Sequence, residues 1–247
     1  MTKYTIIYMA AGNSRRFGSE NKLLKEFEGK PLYRHGLDLL LEVTAEKENV
    51  DLIVITQYSE ILEETEKYRL SGNGNFPADG LAETGRAGRS SRKRQISCFL
   101  NPDSRKGVSY TIHRGVQEAL AAGPVDYFLF VTADQPFLSA HTVKQFLRIG
   151  ECQPQPEEMK KPEGINSEAG GIRCRYPVAS AAYGERLGNP VMFRSDLAEE
   201  LMKLEGDEGG RKVWRRYAGQ GILVQVQDSR ELWDMDVPED LKNISTE

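Results

Sequence analysis

Short, nearly continuous apolar runs alternate along this chain with stretches whose apolar residues recur every three or four positions. Runs of the first kind read as buried strands and stretches of the second kind as amphipathic helices. Strands are predicted at 4–10, 52–56, 96–100, 127–132, 178–183, 190–193 and 222–226. Helices fall between them. Pro31 suits the first turn of a helix whose apolar face is Leu37, Leu40 and Leu41, and Val108, Ile112, Val116 and Leu120 recur at i+4 in another. Ser139 and Ser195 read as N-caps, the second opening a helix that carries Leu197, Leu201 and Leu204. Strands alternating with helices predict an α/β fold of three αβα layers, a mostly parallel sheet with helices on both faces. The stretch YGERLGNP reads as an exposed turn, so the strands on either side of it are expected to pair as a small β-ribbon flanking the sheet.

Two segments break the pattern. Residues 71–95 and 151–171 are rich in Gly, Ser, Pro and charge without apolar period, and read as flexible insertions. The first ends in a run at 86–94 with five cations and no acid, either a solvated face or a docking patch for a partner or a substrate phosphate.

Composition narrows the function classes. A chain of 247 residues, 39% hydrophobic, can hold one sizeable core, so 1–247 reads as a single domain. A net charge of −4 supplies no general attraction for nucleic acid or an anionic membrane, and no run approaches the roughly 18 apolar residues of a membrane span. The apolar start is short and preceded only by Lys3, which fits a first strand better than a secretory signal. Cys98, Cys152 and Cys174 are scattered and odd in number, against a disulfide framework or structural zinc and in keeping with a reducing cytoplasm. His35, His113 and His141 lie in separate helical segments and form no catalytic or metal-binding spacing.

The chemistry concentrates where the first strand ends, in MAAGNSRRFGSENKLLKEFEGKPL. Small residues let a backbone approach a ligand closely, and the cations after them indicate an anion. The segment has neither the GxxxxGK[ST] of a P-loop nor the GxGxxG of a dinucleotide site. It resembles the signature LAAGxSxRxG(x)nKLLxxxxGxPL of MobA-like nucleotidyltransferases, in particular those related to molybdenum cofactor (molybdopterin) cytidylyltransferase. The match runs through Ala10, Ala11, Gly12, Ser14, Arg16, Gly18, Lys22, Leu23, Leu24, Gly29, Pro31 and Leu32, with Met9 in place of the first Leu.

The resemblance continues in family order. Asn101, Gly107, Ser109 and Thr111 are similar to a segment N(x)nGxSxS that touches the nucleotide in the family. FLFVTADQPFLS is similar to GDQPxLS, with Ala133 in place of Gly, which implies that Asp134 holds Mg²⁺. WDMDVPEDL is similar to DxDTPED, with Val237 in place of Thr, which implies Asp236 as the partner carboxylate and Asp234 as the less favoured alternative. GNPVMF and GDEGGR match elements that face the acceptor, which points to Asn189 and Arg211.

The resemblance implies a Rossmann-like sheet of nucleotidyltransferase type. It also implies transfer of CMP from CTP to the terminal phosphate of molybdenum cofactor, with Arg16, Lys22 and Asp134 catalytic and a molybdenum hydroxylase apoprotein as possible recipient. Ala10–Gly12 resembles the AAG of the cytidylyl branch, where the guanylyl branch has AGG. Two other readings stay open: a different phosphorylated acceptor (a sugar phosphate, methylerythritol phosphate or phospholactate), and a non-catalytic chaperone of the cofactor.

Overall fold

The first apolar run is strand β1 (Tyr4–Ala10), and its side chains divide between two cores. Tyr4, Ile6, Tyr8 and Ala10 enter one cluster and Ile7 the other, as the two-residue period of a strand buried on both faces requires. The computed structural model describes residues 1–14, 17, 21–45, 47–71, 96–150, 176–236 and 240.

After β1 comes a two-stranded ribbon, β2 (Glu26–Phe27) and β3 (Lys30–Pro31), then α1 (Leu32–Thr44), β4 (Val50–Thr56) and α2 (Ser59–Ser71). The chain continues through β5 (Ile96–Leu100), α3 (Val108–Ala122), β6 (Tyr127–Thr132) and α4 (Ala140–Ile149). It closes with β7 (Val178–Tyr183), β8 (Arg186–Arg194), α5 (Ala198–Met202), α6 (Arg211–Tyr217) and β9 (Ile222–Gln225). The main sheet has seven strands in the order β5-β4-β1-β6-β8-β7-β9. β1 pairs in parallel with β4 and β6, while β8 is antiparallel to β6 and β7. One core lies against α1, α2 and α4 and the other against α3, α5 and α6, which gives the three expected layers and the mostly parallel sheet.

Several local expectations change; Pro31, for one, ends β3 and stands at the N-cap of α1, just before its first turn. The strand expected at 190–193 begins at Arg186, because the stretch read as a turn pairs with β7 through Ala182↔Leu187 and Ala181↔Gly188. Gly184, at φ 58°, keeps the reversal short. The β7–β8 hairpin also sits inside the sheet, and the small flanking ribbon is β2–β3. Ser195 does not cap a helix: its N–H donates to Asp126 O at 2.8 Å, and a 3-10 turn, Ser195–Leu197, precedes α5. In α3 the buried face is Ile112, Val116 and Ala119 with Leu120 49% exposed, since each four-residue step turns the face by about 40°. Ser139 caps α4 as expected, its hydroxyl accepting from Thr142 N at 3.1 Å. Except for Ser71 at the end of α2, the expected insertions at 71–95 and 151–171 lie outside the described residues.

Candidate active site

The loop that leaves β1 is gripped from the C-terminal end of its neighbour β4. Thr56 Oγ1 donates to Ala10 O at 2.8 Å, Gln57 Nε2 to Ala11 O at 2.8 Å, and Tyr58 OH to Gly12 O at 2.5 Å. Gln57 Nε2 also reaches Asn13 Oδ1 at 3.2 Å, and its Oε1 accepts from Arg105 Nε at 3.1 Å. Gln57 thus ties the loop to the segment before α3. Ser14 adopts φ 49°, and its hydroxyl accepts from Lys22 N at 3.1 Å. Asn21 Oδ1 accepts from Leu23 N at 3.0 Å and caps the 3-10 turn Lys22–Leu24. These bonds set the direction in which Lys22 leaves the backbone.

Lys22 Nζ lies 2.7 Å from Asp134 Oδ2 and 3.2 Å from Asp236 Oδ1, with its side chain only 8% exposed. Burial works against the charged amine, but Asp134 and then Asp236 outweigh it and hold the pKa above the ordinary lysine value. Asp134 follows the C-terminal end of β6, where ligands bind in parallel α/β sheets. Its Oδ1 is buried with no hydrogen-bond partner among the described residues, and so is Thr132 Oγ1. A carboxylate oxygen left this way suits a hard cation, which takes oxygen ligands. Among the described residues no group of three or more His, Cys, Asp or Glu could hold a metal alone, so phosphate oxygens or water would complete its shell. Asp234 keeps an open edge to solvent, yet the surrounding protein, then the charges of Asp134 and Asp236, push its carboxyl up to about 6.

These groups border a cleft of about 400 Å³ whose lining includes Ala11, Gly12, Ser14, Lys22, Asp134 and Asp236. Ser104, Val108, Thr111, Thr132 and Asp207 also line it. Ala10, Asn101, Gly107 and Ser109 stand behind this lining. Asn101 is buried and donates to Ser104 Oγ at 3.1 Å and Tyr110 O at 2.9 Å. Both the N–H and the hydroxyl of Ser109 donate to Gly206 O, at 3.1 and 2.9 Å. A Cβ on Gly107 would lie 2.1 Å from that same oxygen. The two residues bolt the GDEGGR loop to the start of α3 and so place Asp207 at the cleft. Asn189 is partly buried in β8, and Arg211 opens α6 and donates to Leu187 O at 2.9 Å; neither lines the cleft. Arg16 lies outside the described residues.

Sequence reasoning passed over Gln57, Ser104 and Asp207. Gln57 had a usable signal, since it directly follows a predicted strand of a parallel sheet. Among the histidines, His35 Nε2 bonds Phe27 O at 2.8 Å and His141 Nε2 meets Gln145 Nε2 at 2.6 Å, contacts internal to the scaffold.

Comparison with known proteins fits this geometry. Residues 6–221 match the MobA-like NTP transferase domain. The chain is 25% identical over 236 residues to the purine catabolism protein PucB of Bacillus subtilis, covering 95% of this chain and 92% of PucB. Rv0371c from Mycobacterium tuberculosis superposes with a TM-score of 0.62 at 16% identity, over 98% of this chain and 97% of that one. Its complex with manganese gives 0.58 at 15% identity, over 98% of both chains. The molybdopterin-guanine dinucleotide biosynthesis protein A of Archaeoglobus fulgidus gives 0.56 at 12% identity, over 97% of this chain and 95% of that one.

Proposed function

The chain belongs to the MobA-like NTP transferase family, and on that premise we propose that it moves CMP from CTP to the terminal phosphate of molybdenum cofactor, releasing pyrophosphate. The observation that carries the reading is the buried Lys22 ammonium between Asp134 and Asp236, beneath the small-residue loop of β1. An acceptor phosphate oxygen bonds to the α-phosphorus of CTP as the bond from that phosphorus to the bridging oxygen breaks, and the electron pair leaves with pyrophosphate. The acceptor oxygen is already ionised, so no protein nucleophile and no general base is needed.

The chain's own contribution is alignment and charge. The loop from Ala11 to Ser14, held from behind by Gln57 and Tyr58, presents backbone to the triphosphate. Lys22, with Arg16 by its place in the signature, meets the charge that builds on pyrophosphate. Asp134, through its unpartnered Oδ1, and Asp236 would hold Mg²⁺, which supplies further neutralisation of phosphate oxygens; Rv0371c has been crystallised with manganese. Ala11 lines the cleft, and its methyl, through the resemblance of Ala10–Gly12 to the AAG of the cytidylyl branch, supports the reading of the base as cytosine. Asn101, Gly107 and Ser109 shape the nucleotide wall, and Asn189 and Arg211 are assigned to the acceptor side. We read residues 1–247 as one such domain, and a purine-oxidising molybdenum hydroxylase as recipient, in keeping with a relative named for purine catabolism.

The test is incubation with α-labelled CTP and molybdenum cofactor. Label entering the cofactor with stoichiometric pyrophosphate is expected. Transfer only to another phosphorylated acceptor would keep the chemistry and overturn the substrate. Cofactor binding without pyrophosphate release from any nucleotide would overturn the enzymatic reading in favour of a chaperone.

A further inference from the structure

Asp236 reaches Asp134 by an indirect route. It follows β9, at the edge of the sheet, whereas Asp134 follows β6, with β8 and β7 between them. Three strand spacings amount to about 14 Å, and the chain recrosses them in a strap whose regular structure is one 3-10 turn, Ser229–Leu232. A segment of this kind keeps a side chain in place only through its fastenings.

One fastening is a buried carboxylate that the proposed chemistry does not use. Glu231 is 3% exposed. Its Oε2 accepts from Ser139 N at 3.0 Å and from Thr142 Oγ1 at 2.7 Å, both at the first turn of α4. Four residues on, Met235 N donates to Asp134 O at 3.0 Å. Ser139 and Asp134 belong to the same connection between β6 and α4. The strap is therefore stitched twice to the segment that carries the first carboxylate, and Asp236 directly follows the second stitch. A buried carboxylate is costly without donors, and the helix N-terminus supplies both the donors and a favourable field.

We propose that Glu231 is a positioning residue that sets Asp236 against Asp134 by locking the strap to the β6–α4 connection. It acts through the strap and touches neither substrate nor metal. The inference rests on the reading of Asp134 and Asp236 as one site, and is tested by a measurement that needs no metal or nucleotide.

Hydrogen exchange is followed at the Met235 and Ser139 amides in the parent, Glu231→Ala and Glu231→Gln chains. In the alanine variant Met235 is expected to exchange about ten-fold faster or more, while amides of β1 and β6 keep their protection. Glutamine can place its carbonyl oxygen where Oε2 sits, and should restore the parent rate. Should Glu231→Ala fail to fold, Thr142→Val removes one donor and is expected to raise Met235 exchange to a smaller degree. Faster exchange at Ser139 with Met235 unchanged would overturn the proposal and leave Glu231 as a helix cap. So would a glutamine variant as fast as alanine. Mn²⁺ affinity, read by titration of the same proteins, is expected to fall about ten-fold in the alanine variant. If the parent binds no Mn²⁺, the metal assignment fails, while the exchange result still decides the role of Glu231.

Discussion

A lysine with two carboxylate partners occupies the place that a divalent cation would also seek. On the proposed reading, Lys22, which pairs with Asp134 and Asp236, and a metal would compete for these carboxylates until a triphosphate offered the ammonium another anion. Lys22→Met is therefore expected to lower nucleotidyl transfer about 10²- to 10³-fold. It should also tighten Mn²⁺ binding in the absence of nucleotide, on the order of ten-fold or about 1.4 kcal/mol, as read by titration calorimetry. Unchanged or weaker metal binding would show that the ammonium does not compete. The pH dependence has a definite sign. The folded pKa of Lys22 is raised, so its contribution to stability is fully present below the unfolded value of about 10.4 and is lost as pH rises through the folded value. The stability difference between parent and Lys22→Met, from urea unfolding without divalent ions, should be level between pH 8 and 9, above the titration of the nearby Asp234, and shrink as pH rises further. Lys22, Asp134 and Asp236 could be picked out from the sequence because each sits in a motif whose chemistry is local. Gln57 has no such motif: its place directly after a strand of the parallel sheet marks it only as lying on the ligand side, and its grip on the carbonyl of Ala11, in the loop after the neighbouring strand, depends on strand order, which is not written locally.

Elements were most legible where one period and one burial state coincide. β1, β6 and β7 have the expected limits because their runs are buried on both faces almost throughout, and β5, an edge strand, because its buried Ile96 and Cys98 alternate with the exposed Ser97. β8 was cut short, since Gly188, Asn189 and Pro190 carry turn chemistry while the sheet on both sides supplies partners for the strand. The signature at 107–109 was visible, but its role as a clasp between two elements was not, because the Gly206 loop lies far along the chain. That clasp carries its own prediction. Gly107 has φ 145°, where a side chain is strained, and a Cβ would meet Gly206 O at 2.1 Å. Gly107→Ala should destabilise the fold by about 1–3 kcal/mol from backbone strain alone, as measured by urea unfolding. It should also raise hydrogen exchange at Ser109, whose N–H is bonded to that oxygen. A variant with parental stability and parental Ser109 exchange would show that the loop gives way freely and that the clasp does not position Asp207.

At the scale of the whole molecule, the architecture brings two carboxylates that are distant in sequence to one ammonium. The sequence announces a mostly parallel sheet with helices on both faces, but not the insertion of an antiparallel β8 beside β6 or the return of the chain from β9 across β7 and β8. Those choices depend on which edges find partners and on long-range burial, such as that of Leu232 and Met235 in the returning strap. Their outcome is one Lys22 ammonium in contact with both Asp134 and Asp236. If a cation replaces that ammonium during turnover, the two carboxylates act as a unit. Asp134→Asn and Asp236→Asn should then each lower transfer about 10²-fold or more, because an amide oxygen ligates a hard dication more weakly than a carboxylate. The double variant should lose little beyond the worse single, since one lost ligand already spoils the site that the other serves. The measurement is a double-mutant cycle on CTP turnover across a Mg²⁺ titration, with unfolding curves to confirm that each variant is folded. Asp134 is the more buried partner, at 21% side-chain exposure against 47% for Asp236, so its substitution should shift the Mg²⁺ midpoint further. Additive losses with an unchanged midpoint would mean that the two carboxylates serve different ions or none, and that their meeting at Lys22 holds the fold rather than the chemistry.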